Sequence, residues 1–364
     1  MIPGFRALLF ANVALPPDGT AVPAFRPSAY AFFPAGDVDA LRLGHLTAQA
    51  FVEDLERAVQ PALAPGDILL MHTPNNPLLH GLAAWLHRLP QPAPYEACIG
   101  LILPPDFRQP DERMESFNRH HYAHAFELLS RLPMRIRYYT ETTPMAELFE
   151  TLGARPMHRN RLPLWVDMAS MGQPQRPPDG TTLFYVPGEI RAEKGHAFLI
   201  NGLLAIAQAR PELLQGVRFR FTAAAMPADL MGFLASRPEL FEIVPDREIS
   251  NQRYWELMRE ADFVVCTYDP RDYRRRSSSI FYEAMAAGIP VLASAGTSMA
   301  ADLEADGAGA GLAVQYGSAD SLAQAIVQAS AAPQDFRRRA QSVAAKYQSA
   351  LSARHFLGWL TRPA

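Results

Sequence analysis

Cysteine is almost absent from this chain. Its 364 residues contain only Cys98 and Cys266, too few for a disulfide framework and without metal-ligand spacing. Each sits in an apolar run, Ala97-Cys98-Ile99 and Val264-Val265-Cys266, and reads as a buried strand residue. No apolar run approaches the roughly 18 residues of a membrane span. The opening Met1-Ile2-Pro3-Gly4-Phe5-Arg6 lacks the basic-then-apolar order of a secretion signal. A cytoplasmic protein is therefore expected, with peripheral attachment at the inner membrane face left open. An excess of positive charge is missing too: 34 Lys and Arg stand against 37 Asp and Glu, a formal net charge of -3. That argues against nucleic acid as the main partner. There is no internal repeat and no low-complexity tract.

What is present is apolar residue, 49% of the chain, in a length sufficient for two domains of ordinary size. Short apolar runs alternate with stretches of helical spacing. In the first half, strands are predicted at 7–13, 68–72, 97–103 and 136–139, and helices at 41–59, 78–89, 113–132 and 145–152. Residues 155–180 carry prolines at 156, 163, 174, 177 and 178 and read as an interdomain linker. The alternation then restarts, with strands at 182–186, 217–222, 241–244, 262–267 and 290–294. Helices are predicted at 197–210, 228–236, 251–260, 280–287, 321–330 and 336–360. Strands alternating with helices predict α/β domains, each with a doubly wound parallel sheet covered on both faces.

Such sheets bind ligands beyond the carboxyl ends of their strands, which directs attention to two loops. The first is Pro187-Gly188-Glu189-Ile190-Arg191-Ala192-Glu193-Lys194-Gly195-His196. Its glycines allow close backbone approach, the following helix offers free N–H groups, and Arg191 and Lys194 supply cations for a diphosphate. The same residues also fit a solvated loop with Glu and Lys pairing on the surface. The second loop runs from Tyr268 through Arg274-Arg275-Arg276 and Ser277-Ser278-Ser279 to Glu283. The serines suit a helix start facing phosphate oxygens, and Glu283, one turn inside, suits two vicinal ribose hydroxyls. The alternatives are a solvated charge patch and a Glu paired with a neighbouring arginine.

Three stretches carry a family resemblance. Gly188 to Gly195 with Glu193-Lys194-Gly195, Trp255 to Asp262, and Tyr282-Glu283-Ala284-Met285-Ala286-Ala287-Gly288-Ile289-Pro290-Val291 occur in the order and spacing of one family. The second half is similar to the C-terminal domain of retaining, GT-B-type glycosyltransferases, the glycogen-synthase-like and mannosyltransferase-like superfamily of glycosyl transferases group 1. The resemblance implies two Rossmann-like domains facing a cleft. Their expected extents are 1–170 for an acceptor-side domain, 171–335 for a nucleotide-sugar domain, and 336–364 for a helix crossing back to the first. It implies transfer of a hexose from a nucleotide-diphosphate sugar to a glycan or lipid-linked glycan, with retention and without a metal or other cofactor. Lys194 and Arg191 would meet the diphosphate, Gly188, Arg276, Ser278 and Ser279 would complete its cradle, and Glu283 would hold the ribose. Two departures stand out. The family's Arg after the loop glycine is Glu189 here, with Arg191 two residues on. The first of the family's two glutamates, seven residues before Glu283, would fall at Arg275. That position normally faces the sugar, so a GT-B-like epimerase and a non-catalytic scaffold remain alternatives.

The first half supplies no motif of this kind. Asp106, after Leu103-Pro104-Pro105, is a candidate acceptor base, with a plain structural role the simpler reading. His72, Asn75 and Asn76 follow a buried strand and read more simply as a turn than as sugar contacts. His120 and His124 share a helix face, but no third ligand of suitable spacing appears, so no metal is expected.

Overall fold

The protein is described here by a computed structural model that covers residues 9–12, 21–25, 37–107, 112–163, 180–223, 226–246, 248–306 and 309–362. Its contacts divide the chain into two compact units, Met1–Arg159 and Asn160–Ala364.

In the first unit, strands β1 (Leu9–Asn12) and β2 (Ala21–Phe25) form a parallel pair. Strands β3 (Ile68–His72), β4 (Glu96–Gly100), β5 (Ile136–Thr140) and β6 (Met157–Arg159) form a four-stranded parallel sheet in that order. Helices Asn76–Arg88, Glu112–Ser130 and Thr143–Thr151 connect them. The first and third of these helices start on side-chain caps: Asn75 accepts from the Leu78 N–H at 3.1 Å and Thr142 from the Met145 N–H at 3.3 Å. The core packs Leu79, Trp85, Ile99, Phe126 and Phe149, all essentially without exposure. β6 lies inside the stretch read from the sequence as linker. Most of that stretch, 164–179, falls outside the described residues.

The second unit is built on six parallel strands: β7 (Thr182–Val186), β8 (Val217–Thr222), β9 (Phe241–Val244), β10 (Phe263–Cys266), β11 (Val291–Ser294) and β12 (Gly311–Val314). Their order is β12-β11-β10-β7-β8-β9. From β7 the chain winds outward through β8 and β9, then returns to lay β10 on the other side of β7 and winds away again. The reversal makes the sheet doubly wound and opens a crevice between the carboxyl ends of β7 and β10.

Both faces of this sheet are buried, which is why its strands read as near-continuous apolar runs. Phe184, Phe219 and Phe263 stack across three strands with ring centroids 4.9 and 5.3 Å apart on one face. Tyr185, Val264, Cys266, Val291 and Ala293 face the other layer, under helices Asn251–Glu260, Ser279–Ala286 and Pro333–Ala350. Each fully buried Phe contributes on the order of 2 kcal/mol by removal from water. Cys98 and Cys266 are both buried and free, and burial pushes both thiols up to about 12. They are inert core residues. The expected terminal helix 336–360 is two helices, Pro333–Ala350 and Ala353–Leu360. Phe336, Ala340, Tyr347 and Leu351 are buried in the core of the second unit.

Candidate functional site

The loop after β7 is shaped by two glycines in the left-handed region. Gly188 has φ 89° and Gly195 φ 67°. A Cβ on Gly195 would stand 1.8 Å from the Thr267 carbonyl oxygen, and one on Gly188 would stand 2.7 Å from Lys194 Nζ. Both φ values disfavour a side chain, and at Gly195 the Thr267 backbone leaves no room for one, so the loop after β7 passes directly against the loop after β10. A backbone bond from the Asp269 N–H to the Glu193 carbonyl, 2.9 Å, joins the two. Thr222, at the end of β8, donates its hydroxyl to the Gly188 carbonyl at 3.1 Å and fixes the other side. His196 is buried, and burial lowers its imidazole to about 4. It is therefore neutral, with Nδ1 3.4 Å from the Arg191 backbone nitrogen.

Lys194 ends a short 3-10 turn, Ala192–Lys194, and is 8% exposed. Its ammonium makes no ion pair or hydrogen bond among the described residues. Burial first, and the nearby Arg191 second, lower its pKa. Arg191 is differently placed. It is half-exposed and paired with Glu189 at 3.0 Å and Glu193 at 3.7 Å.

The loop after β10 turns through a four-residue helix, Pro270–Tyr273, capped by Asp269, whose carboxylate also holds Arg271 at 2.6 Å. Arg276 stacks on Tyr273 with its guanidinium carbon 4.4 Å from the ring centroid, and its carbonyl accepts from the Ser298 hydroxyl at 2.6 Å. Ser278 starts helix Ser279–Ala286 without capping it. Its hydroxyl lies 3.4 Å from the Tyr268 hydroxyl and does not cap the first N–H groups of that helix. Those amides and the positive end of the helix dipole suit an anion.

Between these loops lies a cavity of about 370 Å³, lined by Gly188, Glu189, Thr222, Asn251, Ser279 and Glu283, with Tyr185, Tyr254, Ile249 and Ile280. The Glu283 carboxylate is mostly buried, and burial raises its pKa while a hydrogen bond from the Tyr254 hydroxyl opposes the rise. Thus Gly188, Ser279 and Glu283 share one cavity, with Lys194 against Gly188. Ser278 stands at the adjoining helix start and Arg276 in the loop leading to it. Asp106 lies in the first unit, in the turn after β4, partly exposed. Tyr185 and Tyr254 were missed by sequence reading because a Tyr in an apolar strand and one in a helix read as core.

Two parallel α/β units with a crevice at the strand reversal define a Rossmann-like pair, and solved structures of that kind match nearly the whole chain. Sucrose-phosphate synthase from Thermosynechococcus elongatus matches with a TM-score of 0.59 at 18% identity, covering 87% of this chain and 77% of its own. A trehalose-6-phosphate synthase gives 0.63 at 13% identity over 90% and 80%. Anabaena HepE in complex with UDP-glucose gives 0.55 at 16% over 92% and 82%. The fold is GT-B. No curated protein matches the chain by sequence. Residues 181–331, which hold the cavity and both loops, match the family model of glycosyl transferases group 1. That match falls entirely within the second unit.

Proposed function

We propose that this protein moves a hexose from a nucleoside-diphosphate sugar to a hydroxyl of a glycan or lipid-linked glycan, with retention of anomeric configuration. The observation that carries the reading is the pairing, in one crevice, of a buried lysine that has no ion partner with a carboxylate that lines the adjoining cavity. Lys194 and the open amides at Ser278 and Ser279 meet the diphosphate, with Gly188 allowing its approach. Arg276 adds charge from the loop behind, Arg191 from the rim, and Glu283 grips the ribose. Negative charge develops on the departing diphosphate, and fixed cations and N–H dipoles stabilise it without reorganising. HepE, a fold relative, was solved with UDP-glucose, which supports a nucleotide sugar as donor. Asp106 is proposed as the acceptor-side base. No helix among the described residues is long and apolar enough to cross a membrane, and a lipid-linked acceptor would be met by peripheral attachment.

Saturation-transfer NMR against UDP-, GDP- and dTDP-sugars tests the reading. One of them binds, and the enzyme slowly hydrolyses it. Lys194→Ala and Glu283→Ala each weaken that binding by ~1–3 kcal/mol, the scale of a lost charge-assisted bond. Unchanged affinity in both folded variants would reject the site.

A further inference from the structure

Glu283 is held by a residue outside the sequence motif. Tyr254 sits one turn into helix Asn251–Glu260 and donates its hydroxyl to Glu283 Oε2. Burial, and then the neighbouring carboxylate, push this phenol well above 10, so it stays a donor at every working pH. No other side-chain hydrogen bond reaches Glu283 among the described residues, which leaves Oε1 without a partner. The cavity they line also includes Tyr185, fully enclosed on β7, whose hydroxyl has no hydrogen-bond partner among the described residues. Buried hydroxyls are seldom left unpaired. The Tyr185 hydroxyl is enclosed, so Glu283 Oε1 is the group on this wall with polar capacity for a polyhydroxylated ligand.

A carboxylate free to rotate would meet a vicinal diol with either oxygen and lose freedom on binding. A carboxylate pinned through Oε2 is already oriented, so less entropy is lost when the ligand arrives. We infer that Tyr254 is a positioning residue: by fixing one oxygen of Glu283 it turns the other toward the sugar of the nucleoside and makes this cavity selective for ribonucleotides over deoxyribonucleotides. The inference rests on the assignment of the ribose to Glu283 in the proposed function.

The test is calorimetric titration of UDP, GDP and ADP and of their 2′-deoxy counterparts into the wild-type protein and Tyr254→Phe, from pH 5 to pH 8. The wild type is expected to favour the ribonucleotide. Tyr254→Phe binds it about tenfold more weakly, the effect of one lost hydrogen bond of ordinary strength, and binds the deoxynucleotide nearly as before. Removing the phenol also removes the bond that opposes the rise in the Glu283 pKa. The pH below which affinity is lost therefore moves upward in the variant. In a Glu283→Ala background the Tyr254→Phe change has no further effect, because the two act as one unit.

A purely structural Tyr254 predicts otherwise: equal losses for both nucleotides, an unmoved pH limb and additive double variants. Any of these overturns the inference while leaving ribonucleotide binding by the wild type intact. A wild type that binds none of the three nucleotides overturns the site reading along with it.

Discussion

Replacing Lys194 by Met should make the free protein more stable and the nucleotide complex weaker. The residue is 8% exposed and its pKa is lowered, chiefly by burial. A base whose folded-state pKa lies below the unfolded 10.5 costs stability when charged. That cost is present in full below the depressed value and disappears as pH rises past the unfolded one. At pH 7 the variant removes it, so the melting temperature of the free protein holds or rises. The ligand effect has the opposite sign. A lost charge-assisted contact of ~1.5–3 kcal/mol raises Kd by about 10- to 150-fold. For the wild type, nucleotide at about 100 times Kd adds ~2.7 kcal/mol, or roughly 5–10 °C for a unit of this size. At the same concentration a variant with hundredfold weaker binding gains only ~0.4 kcal/mol, about 1 °C. Thermal melts of both proteins at pH 7, with and without the nucleotide found by NMR, read both signs in one experiment. A free variant melting several degrees lower, with an undiminished ligand shift, would refute the account: Lys194 would then be a structural cation.

Gly195→Ala forces a methyl to within 1.8 Å of the Thr267 oxygen at φ 67° and should cost ~3 kcal/mol or more, read from the urea midpoint. Arg161 lies over the Tyr282 ring at 3.5 Å and pairs with Asp302 at 3.1 Å. Arg161→Ala should lower stability by about 2–4 kcal/mol with nucleotide affinity unchanged, separating a structural ion pair from the binding site. Glu189→Gln should tighten nucleoside-diphosphate binding about two- to fivefold by removing an anion from the cavity lip, and the gain should shrink in 0.5 M salt, measured by titration. Affinity should follow a bell in pH: it falls on the acid side at a higher pH than an ordinary Glu would give, because Glu283 is raised. On the alkaline side it falls before 10.5 is reached, because Lys194 is lowered.

The strands of the second unit were legible because burial on both faces leaves an unmixed apolar signal. Thr182–Val186, Val217–Thr222 and Phe241–Val244 lie where periodicity predicts them. Elements escaped where that signal is diluted. β12, Gly311–Val314, lies at the sheet edge behind a Gly- and Ala-rich run, and helix Ser298–Asp306 is short and nearly without large apolar residues. β2 contains Pro23 and β6 lies in a Pro-marked stretch, so punctuation outweighed pattern. The break at Leu351–Ser352 escaped because neither Gly nor Pro marks it; Ser352 shows itself as a cap only through its bond to the His355 N–H.

The site was legible as charge and illegible as partnership. Lys194 and Arg191 look equivalent in the sequence, two cations three residues apart on a loop after a strand. Folding separates them through their neighbours. Gly188 and Gly195 let the loop bend so that Lys194 turns inward and makes no ion pair among the described residues, whereas Arg191 is paired with Glu189 and Glu193 on the rim. A solvent-exposed ion pair of this kind is worth ~0–1 kcal/mol, so Arg191 is restrained without being locked, and under the proposed function a diphosphate would compete for it with Glu189. The same holds for Glu283. Its position is marked by Glu-Ala-Met-Ala, but what orients its carboxylate is Tyr254, on a helix 29 residues upstream. Sequence spacing reports which groups one strand end presents. The strand reversal that brings β7 beside β10 decides which of them meet.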